Sequence, residues 1–359
     1  MYYVTGAFAN HGCLSSLISH PNFATLHFHL AASPTHNLLS IGNDCFPETL
    51  SIDFDASLSG DSAYVPPIID FMDHQQHPQI GGSCRGFVFL HSDKGFYLWN
   101  PSTGVHKQIP RSPMTIGIKL NILNRNILRF LYGFAYEPST DDYLVVLGSY
   151  KCYNDYDRVS GLITLEIFSL RTNKWKQVEV GFHLPYMVIN TNRPSNKVGL
   201  FLNGAIHWVV HNHETNMNVI IAFDLKETTI SEIALPKDFC VTYSIQYDLL
   251  VLDGLISAWI VDMDVVEIWV MQEYAVHSSW IKTLVFSIRP DPDFFLVYFT
   301  NCGDIVGTDG HDELVKFNYK GQLLENLSYH CCFSGRSKMV VYTESLLSLP
   351  TGVRLVNEL

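Results

Sequence analysis

Gly95-Phe-Tyr-Leu-Trp-Asn-Pro-Ser-Thr-Gly-Val-His-Lys-Gln-Ile-Pro110 is the stretch that decides the fold. An aromatic run closes one strand, a short polar turn follows, and a second strand starts within a few residues. The same logic returns in Ile167-Phe-Ser-Leu-Arg-Thr-Asn-Lys-Trp-Lys-Gln-Val178 and Ala222-Phe-Asp-Leu-Lys-Glu-Thr-Thr-Ile-Ser-Glu-Ile233. It appears again in Glu267-Ile-Trp-Val-Met-Gln-Glu273 and Lys316-Phe-Asn-Tyr-Lys-Gly-Gln-Leu-Leu324. From Trp99 through Phe168, Phe223 and Trp269 to Phe317 the spacings are 69, 55, 46 and 48 residues. A repeat of that length, built from several short strands, indicates small sheets arranged radially. The expected fold class is all-β, a β-propeller of about six blades.

Four strands per blade, A innermost to D outermost, place blade one at 80–110 and blade two at 132–180. Blades three, four and five fall at 198–236, 248–286 and 294–330. Asn203-Gly204 is a strong two-residue hairpin signal in blade three. Four strands are left over: 37–41 and 50–54 near one end, 339–342 and 346–349 near the other. Joining them makes a sixth blade closed by both chain ends, which removes open sheet edges. Leu38 and Ile41 are then expected in one sheet with Val340 or Leu346. Ahead of the strands, Leu14, Leu17, Ile18, Phe23, Leu26 and Leu30 recur at helical spacings, and Pro21 suits the first position of a helix. The expected division is a helical segment, 1–33, followed by the propeller, 34–359.

Composition narrows the function. The chain has 359 residues, 47% hydrophobic and 16% charged, enough for a large core. Its formal net charge of -12, with Lys and Arg scattered singly, argues against a nucleic-acid partner. Arg85 is the first basic residue, so the N-terminus has neither a secretory n-region nor an arginine-rich transit peptide. No apolar run reaches membrane-spanning length. The eight cysteines form no CxxC pair and read as small core residues of a reducing compartment. The expectation is a cytoplasmic or nuclear protein without a membrane partner.

No GxSxG, P-loop or GxGxxG string occurs, so neither a nucleophile elbow nor a phosphate cradle has local support. Asp141-Asp142, Asp262/Asp264 and Asp291/Asp293 could serve a propeller hydrolase acting on sugars or lactones, but turn capping explains them better. His211-Asn-His213-Glu214 is the nearest approach to a metal cluster, yet nothing accompanies it and a loop tip is the preferred reading. Neither a metal nor a cofactor is expected. Trp99, Trp175, Trp208, Trp269 and Trp280 read as packing between blades.

The strand assignment also sorts the loops. A–B and C–D turns are short, as at 138–142, 171–174 and 226–229. B–C and D–A connections are longer: 111–131, 151–161, 181–197, 211–218 and 237–246. Long loops gathered at one end of a rigid scaffold commonly bind. Aromatic and Arg residues make the best anchors, so Tyr153, Tyr156, Arg158, Tyr186, Arg193 and His213 are the candidate contacts.

Ser16-Leu-Ile-Ser-His-Pro-Asn-Phe-Ala-Thr-Leu-His-Phe-His-Leu30 resembles the end of a plant F-box. Cys84-Arg-Gly-Phe87, Leu98-Trp-Asn-Pro-Ser-Thr-Gly104, Tyr132-Gly-Phe-Ala-Tyr-Glu-Pro-Ser-Thr-Asp-Asp-Tyr143 and Asn203-Gly-Ala-Ile-His-Trp208 resemble the domain associated with it, of the F-box/kelch-repeat kind. The resemblance covers about residues 14 to 350. It implies the substrate-recognition subunit of a Skp–cullin–F-box ubiquitin ligase, with the Skp adaptor on the F-box and a target protein on the propeller, and no catalysis of its own. Leu14, Leu17, Ile18 and Phe23 would remain of the adaptor-docking surface. The segment before Ser16 departs from the family pattern, with Leu14 standing where a tryptophan is expected. A truncated member that binds its target without recruiting the ligase is the alternative within this resemblance.

Overall fold

The computed structural model describes residues 21–30, 36–41, 49–53, 63–64, 69, 71–72, 78–92, 94–115, 127–152, 164–178, 186–187, 197–239, 246–262, 265–288, 294–300, 302–308, 313–328 and 338–349. Helix α1 (Pro21–Leu30) begins at its proline, whose missing N–H costs nothing in the first turn. Strands β1 (His36–Ile41), β2 (Thr49–Asp53) and β3 (Ala63–Tyr64) follow. Blade one is β4 (Gln79–Cys84), β5 (Phe87–His91), β6 (Phe96–Trp99) and β7 (His106–Ile109). Blade two is β8 (Ile127–Glu137), β9 (Asp142–Cys152), β10 (Thr164–Ser169) and β11 (Lys174–Val178).

Two short strands, β12 (Tyr186–Met187) and β13 (Lys197–Val198), lie in the next connection. Blade three is β14 (Leu200–Leu202), β15 (Ala205–Asn212), β16 (Met217–Asp224) and β17 (Ile230–Ala234). Blade four is β18 (Gln246–Leu252), β19 (Leu255–Asp262), β20 (Val265–Met271) and β21 (Trp280–Ser287). Blade five is β22 (Phe295–Phe299), β23 (Ile305–Thr308), β24 (Glu313–Phe317) and β25 (Leu323–Ser328). β26 (Lys338–Thr343) comes last and joins the first three strands in the order β26-β1-β2-β3.

Strands β4, β8, β14, β18, β22 and β26 touch in that order, and β26 touches β4, so the inner strands form a closed circuit. The chain is a β-propeller closed by both of its ends. Leu38 pairs with Val341 and Leu39 with Val340, as the closure argument expects. The fourth strand of that sheet is β3, not 346–349. Residues 344–349 are irregular because their carbonyls are used elsewhere: the buried Asn100 amide donates to Ser345 O at 2.9 Å and Leu347 O at 3.0 Å.

Trp99, Phe168, Phe223, Trp269 and Phe317 all lie on the third strand of their sheet. The repeat in the sequence is thus a repeat of one structural position, at most 9% exposed in any blade. The apolar clusters sit at the blade boundaries. Leu131, Val146, Ile206 and Trp208 fill the gap between blades two and three. Val209, Ile220, Ile256 and Trp269 do the same between three and four, and Leu38, Val306 and Val341 between five and the closing sheet. Three tryptophans also reach back to a carbonyl of the preceding blade. Trp175 donates to Pro110 O at 2.8 Å, Trp208 to Tyr132 O at 3.0 Å and Trp280 to Ala234 O at 2.9 Å. Trp259 meets Phe295 of the next blade edge-on, with centroids 5.0 Å apart.

The connection between blades two and three adds a strap. β13 pairs parallel with β8, Lys197 opposite Leu131, before the chain crosses to β14. The crossing residue is Gly199, whose N–H donates to Tyr132 O at 2.7 Å. A Cβ there would lie 2.3 Å from Ile206 Cγ2 and 2.6 Å from the Trp208 ring, so only glycine passes.

Asn100→Ala should leave two carbonyls of the closing segment without their donor, at a cost of about 1–3 kcal/mol. A lowered urea midpoint with an unchanged m-value is the expected reading. Removal of residues 338–349 should abolish the cooperative transition, since the ring would open.

Candidate recognition surface

Each blade has two ends, and their chemistry differs. At the A–B and C–D end, hairpins turn through left-handed backbone at Arg85, Asp141, Asn173, Asn203, Thr228, Asp253 and Ala275. Side chains there are occupied by the backbone. Asp224 Oδ1 accepts from Lys226 and Glu227 N–H, Asn318 Oδ1 from Lys320 and Gln322 N–H, and Asn100 Oδ1 from Ser102 N–H. Such side-chain-to-backbone bonds are what Asp and Asn supply in tight turns. Asp142 has the same role: buried, it accepts from Ser169 Oγ at 2.5 Å and Arg171 N–H at 2.8 Å. The Asp141-Asp142 pair is therefore a turn.

Helix α1 docks on this turn end. Ala24 is 3% exposed within the cluster of Phe87, Phe134, Tyr143 and Leu347, and Phe28 packs beside it. The Arg85 guanidinium lies 3.9 Å from the Tyr136 ring centroid and 4.9 Å from that of Phe28, so one cation bridges a blade and the helix. Burial pushes the adjacent Cys84 thiol up to about 12, which keeps it protonated and inert. Cys302, by contrast, is exposed rather than a core residue. The opposite side of α1 carries Leu26 and Leu30, 57% and 69% exposed. Their recurrence with Leu14 and Leu17 is legible in the sequence, but of the residues expected to remain of the adaptor-docking surface (Leu14, Leu17, Ile18 and Phe23) only Phe23 lies on α1, and it is half-buried.

His207 and Tyr274 bridge blades three and four, also at the turn end. The Tyr274 hydroxyl is 2.8 Å from His207 Nε2, and Nδ1 is 3.1 Å from Leu200 O. Burial lowers the imidazole pKa, which favours the neutral ring: Nδ1–H donates to the carbonyl and Nε2 accepts from the tyrosine.

At the long-loop end, the described residues form a polar brace. Tyr186 donates to Glu232 Oε1 at 2.5 Å, and the Asn212 amide donates to the same oxygen at 2.8 Å. Asn212 Oδ1 in turn accepts from Glu214 and Thr215 N–H. Tyr186 is 7% exposed and pairs through β12 with β15, so it is a structural residue and not a surface anchor. Burial, then the bond to Glu232, raises its pKa. His213 is exposed on the neighbouring turn. That turn is tighter than expected, because β15 and β16 stay paired out to Asn212 opposite Met217. The 181–197 connection likewise contains β12 and the start of β13 instead of being loop throughout.

Tyr153, Tyr156, Arg158 and Arg193 lie outside the described residues, as do Leu14, Leu17 and Ile18. Asp264, Asp291 and Asp293 do too. His211 Nδ1 is 3.0 Å from Asn218 Oδ1, and no cluster of metal-ligating side chains occurs among the described residues. No helix among them is long and apolar enough to cross a membrane.

A family model described as the F-box associated beta propeller domain matches residues 49–346. The chain belongs to this family. The F-box protein CPR1 of Arabidopsis thaliana is 24% identical over 357 residues, covering 92% of this chain and 81% of that protein. A second F-box protein of the same plant is 27% identical, over 57% of this chain and 51% of its own length. An F-box/kelch-repeat protein, also from Arabidopsis thaliana, is 26% identical over 67% of this chain and 61% of its own length. Within the F-box associated domain, the residues that carry the resemblance are structural: Trp208, Asn203-Gly204 and Asn100 hold blades, turns and the closing segment.

Because His207 is held neutral, its contribution to stability is present above the ordinary value of 6.5 and is lost as pH falls below it. The urea midpoint should therefore drop on acidification from neutral pH. In His207→Gln the drop should be smaller than in the parent protein. Tyr186→Phe should cost about 0.5–1.5 kcal/mol in the same assay, Glu232 keeping Asn212 as its remaining donor.

Proposed function

We propose that this protein is the substrate-recognition subunit of a Skp–cullin–F-box ubiquitin ligase, non-catalytic itself, and that the long-loop end of its propeller holds the target protein. The observation that carries this reading is the position of α1, the segment resembling the end of an F-box. It packs on the turn end through Ala24, Phe28 and Arg85, which leaves the opposite end free for a second partner. Leu26 and Leu30 face away from the propeller and are apolar, as an adaptor-facing surface requires. Together with Phe23 and the sequence before it, they are the proposed contacts to the Skp adaptor. The proposed division is a helical segment up to about residue 33 and the propeller beyond it.

Kinship supports the reading, since the relatives are F-box proteins. So does the contrast between the two ends. At the turn end Asp224 is occupied by the N–H groups of its own turn, whereas His213 stands exposed at the other end. Tyr153, Tyr156, Arg158 and Arg193 are the proposed target anchors beside His213. The same reading places the protein in the cytoplasm or nucleus.

The test uses purified protein, a recombinant Skp adaptor and a target identified by proximity labelling. Leu26→Glu with Leu30→Glu should abolish adaptor binding and leave target capture intact. Alanine at Tyr156 and Arg193 should weaken target capture by about tenfold or more with an unchanged melting temperature, while alanine at Lys226 and Glu227 should change neither. Retained target capture by a parent protein that fails to bind the adaptor would assign it to a binding-only role. Loss of capture from the Lys226 and Glu227 pair alone would place the target on the turn end.

A further inference from the structure

Among the described residues, three blades pass from first to second strand by a two-residue hairpin with both central residues at positive φ. In blade three these are Asn203 and Gly204, at 51° and 76°. In blade four they are Asp253 and Gly254, at 51° and 75°. Such a turn favours Asn-Gly and Asp-Gly, because short polar side chains and glycine accept left-handed backbone at least cost. In blade one the same two positions are held by Arg85, at 50°, and Gly86, at 83°. A long cationic side chain gains nothing from that conformation, so turn geometry does not account for Arg85. Local strain kept in a well-packed place marks a residue with another task.

The surroundings of Arg85 show what the task is. Its Nε is buried without a hydrogen-bond partner, and among the described residues no carboxylate forms an ion pair with it. Helix α1 carries no acidic residue, so the charge is met by two ring faces instead, Tyr136 on blade two and Phe28 on the helix. The turn beneath it is pinned: Ser83 Oγ donates to Val341 O at 2.6 Å, and Gly86 lies against Ser345. On α1, Ala24 and Phe28 stand four residues apart on the side that meets the propeller, and Leu26 and Leu30 stand on the other side. Ala24 is too small to fix the rotation of the helix about its axis. We propose that Arg85 is a positioning residue, whose grip on Phe28 holds α1 at one rotation on the propeller and so aims Leu26 and Leu30 at the adaptor. The aim has its meaning from the adaptor reading above, on which this part rests; the grip itself does not depend on it.

Hydrogen exchange of the full chain at neutral pH, read by mass spectrometry without the adaptor, tests the grip. Arg85→Asn supplies the residue type that suits the turn and removes the cation. It should speed exchange of the α1 amides at 26–30 about fivefold or more and leave the amides of blades three and four unchanged. Arg85→Lys, which keeps the charge, should regain part of that protection. Phe28→Leu keeps apolar bulk and loses the ring, so it should speed α1 exchange as well. Joined to Arg85→Asn it should add little, because both changes break one contact. Unchanged α1 exchange in either folded variant, faster exchange spread evenly over all blades, or fully additive effects in the double variant would each overturn the proposal. Should Arg85→Asn not fold, Phe28→Leu with Arg85→Lys gives the same cycle. Adaptor binding enters none of these measurements, so failure here and failure of the adaptor reading are told apart.

Discussion

The pairing of β26 with β1 is the contact on which the rest of the molecule depends. It joins Lys338–Thr343 to His36–Ile41, so nearly the whole chain must be in place before it forms. Without it β26 and β1 would both present open edges, and the clusters on either side of the closing sheet would lose one wall. The segment after β26 reinforces the joint. Asn100 grips Ser345 and Leu347, and Gly86 approaches Ser345 so closely that a Cβ would lie 2.1 Å from it. Closure therefore reaches from the inner strand out to the C–D turn of blade one.

Closure also decides where α1 can sit. The residues that secure the chain terminus, Leu347 above all, are part of the cluster that receives Ala24 and Phe28. Helix, terminus and blade one form a single packed unit, with Arg85 between the aromatic rings of helix and blade. A partner bound on the outer side of α1 would be held at a fixed orientation to the ring, because little freedom remains in that junction. This is the arrangement a bridging protein needs.

The two ends differ for a chemical reason. Hairpins of two to four residues need left-handed backbone, and Asn, Asp and Gly tolerate it. Their side chains cap the same turns. At the other end the β15–β16 turn uses the same device, with Asn216 left-handed and Asn212 accepting from Glu214 and Thr215 N–H, and it is the connections between blades that run long. Tyr186 marks the limit of that argument. Its loop position and residue type matched a surface anchor, yet two backbone pairs with β15 and the bond to Glu232 draw it into the core.

Periodicity and turn chemistry alone determined the architecture. Trp99, Phe168, Phe223, Trp269 and Phe317 recur because each blade needs a large buried side chain on its third strand. The unpartnered strands near both ends implied closure because an open ring is costly. These are local patterns and edge counts, and both are written in the order of residues. What only the tertiary structure decided depends on distance between residues far apart in the chain. β3 takes the place given to 346–349 because Asn100 captures those carbonyls, a contact across 245 residues. Trp175, Trp208 and Trp280 were legible as packing between blades, but the carbonyl each one reaches and the strap at Gly199 were not. Burial and proximity are properties of the packed ring, and a linear pattern encodes them only where neighbours in sequence are also neighbours in space.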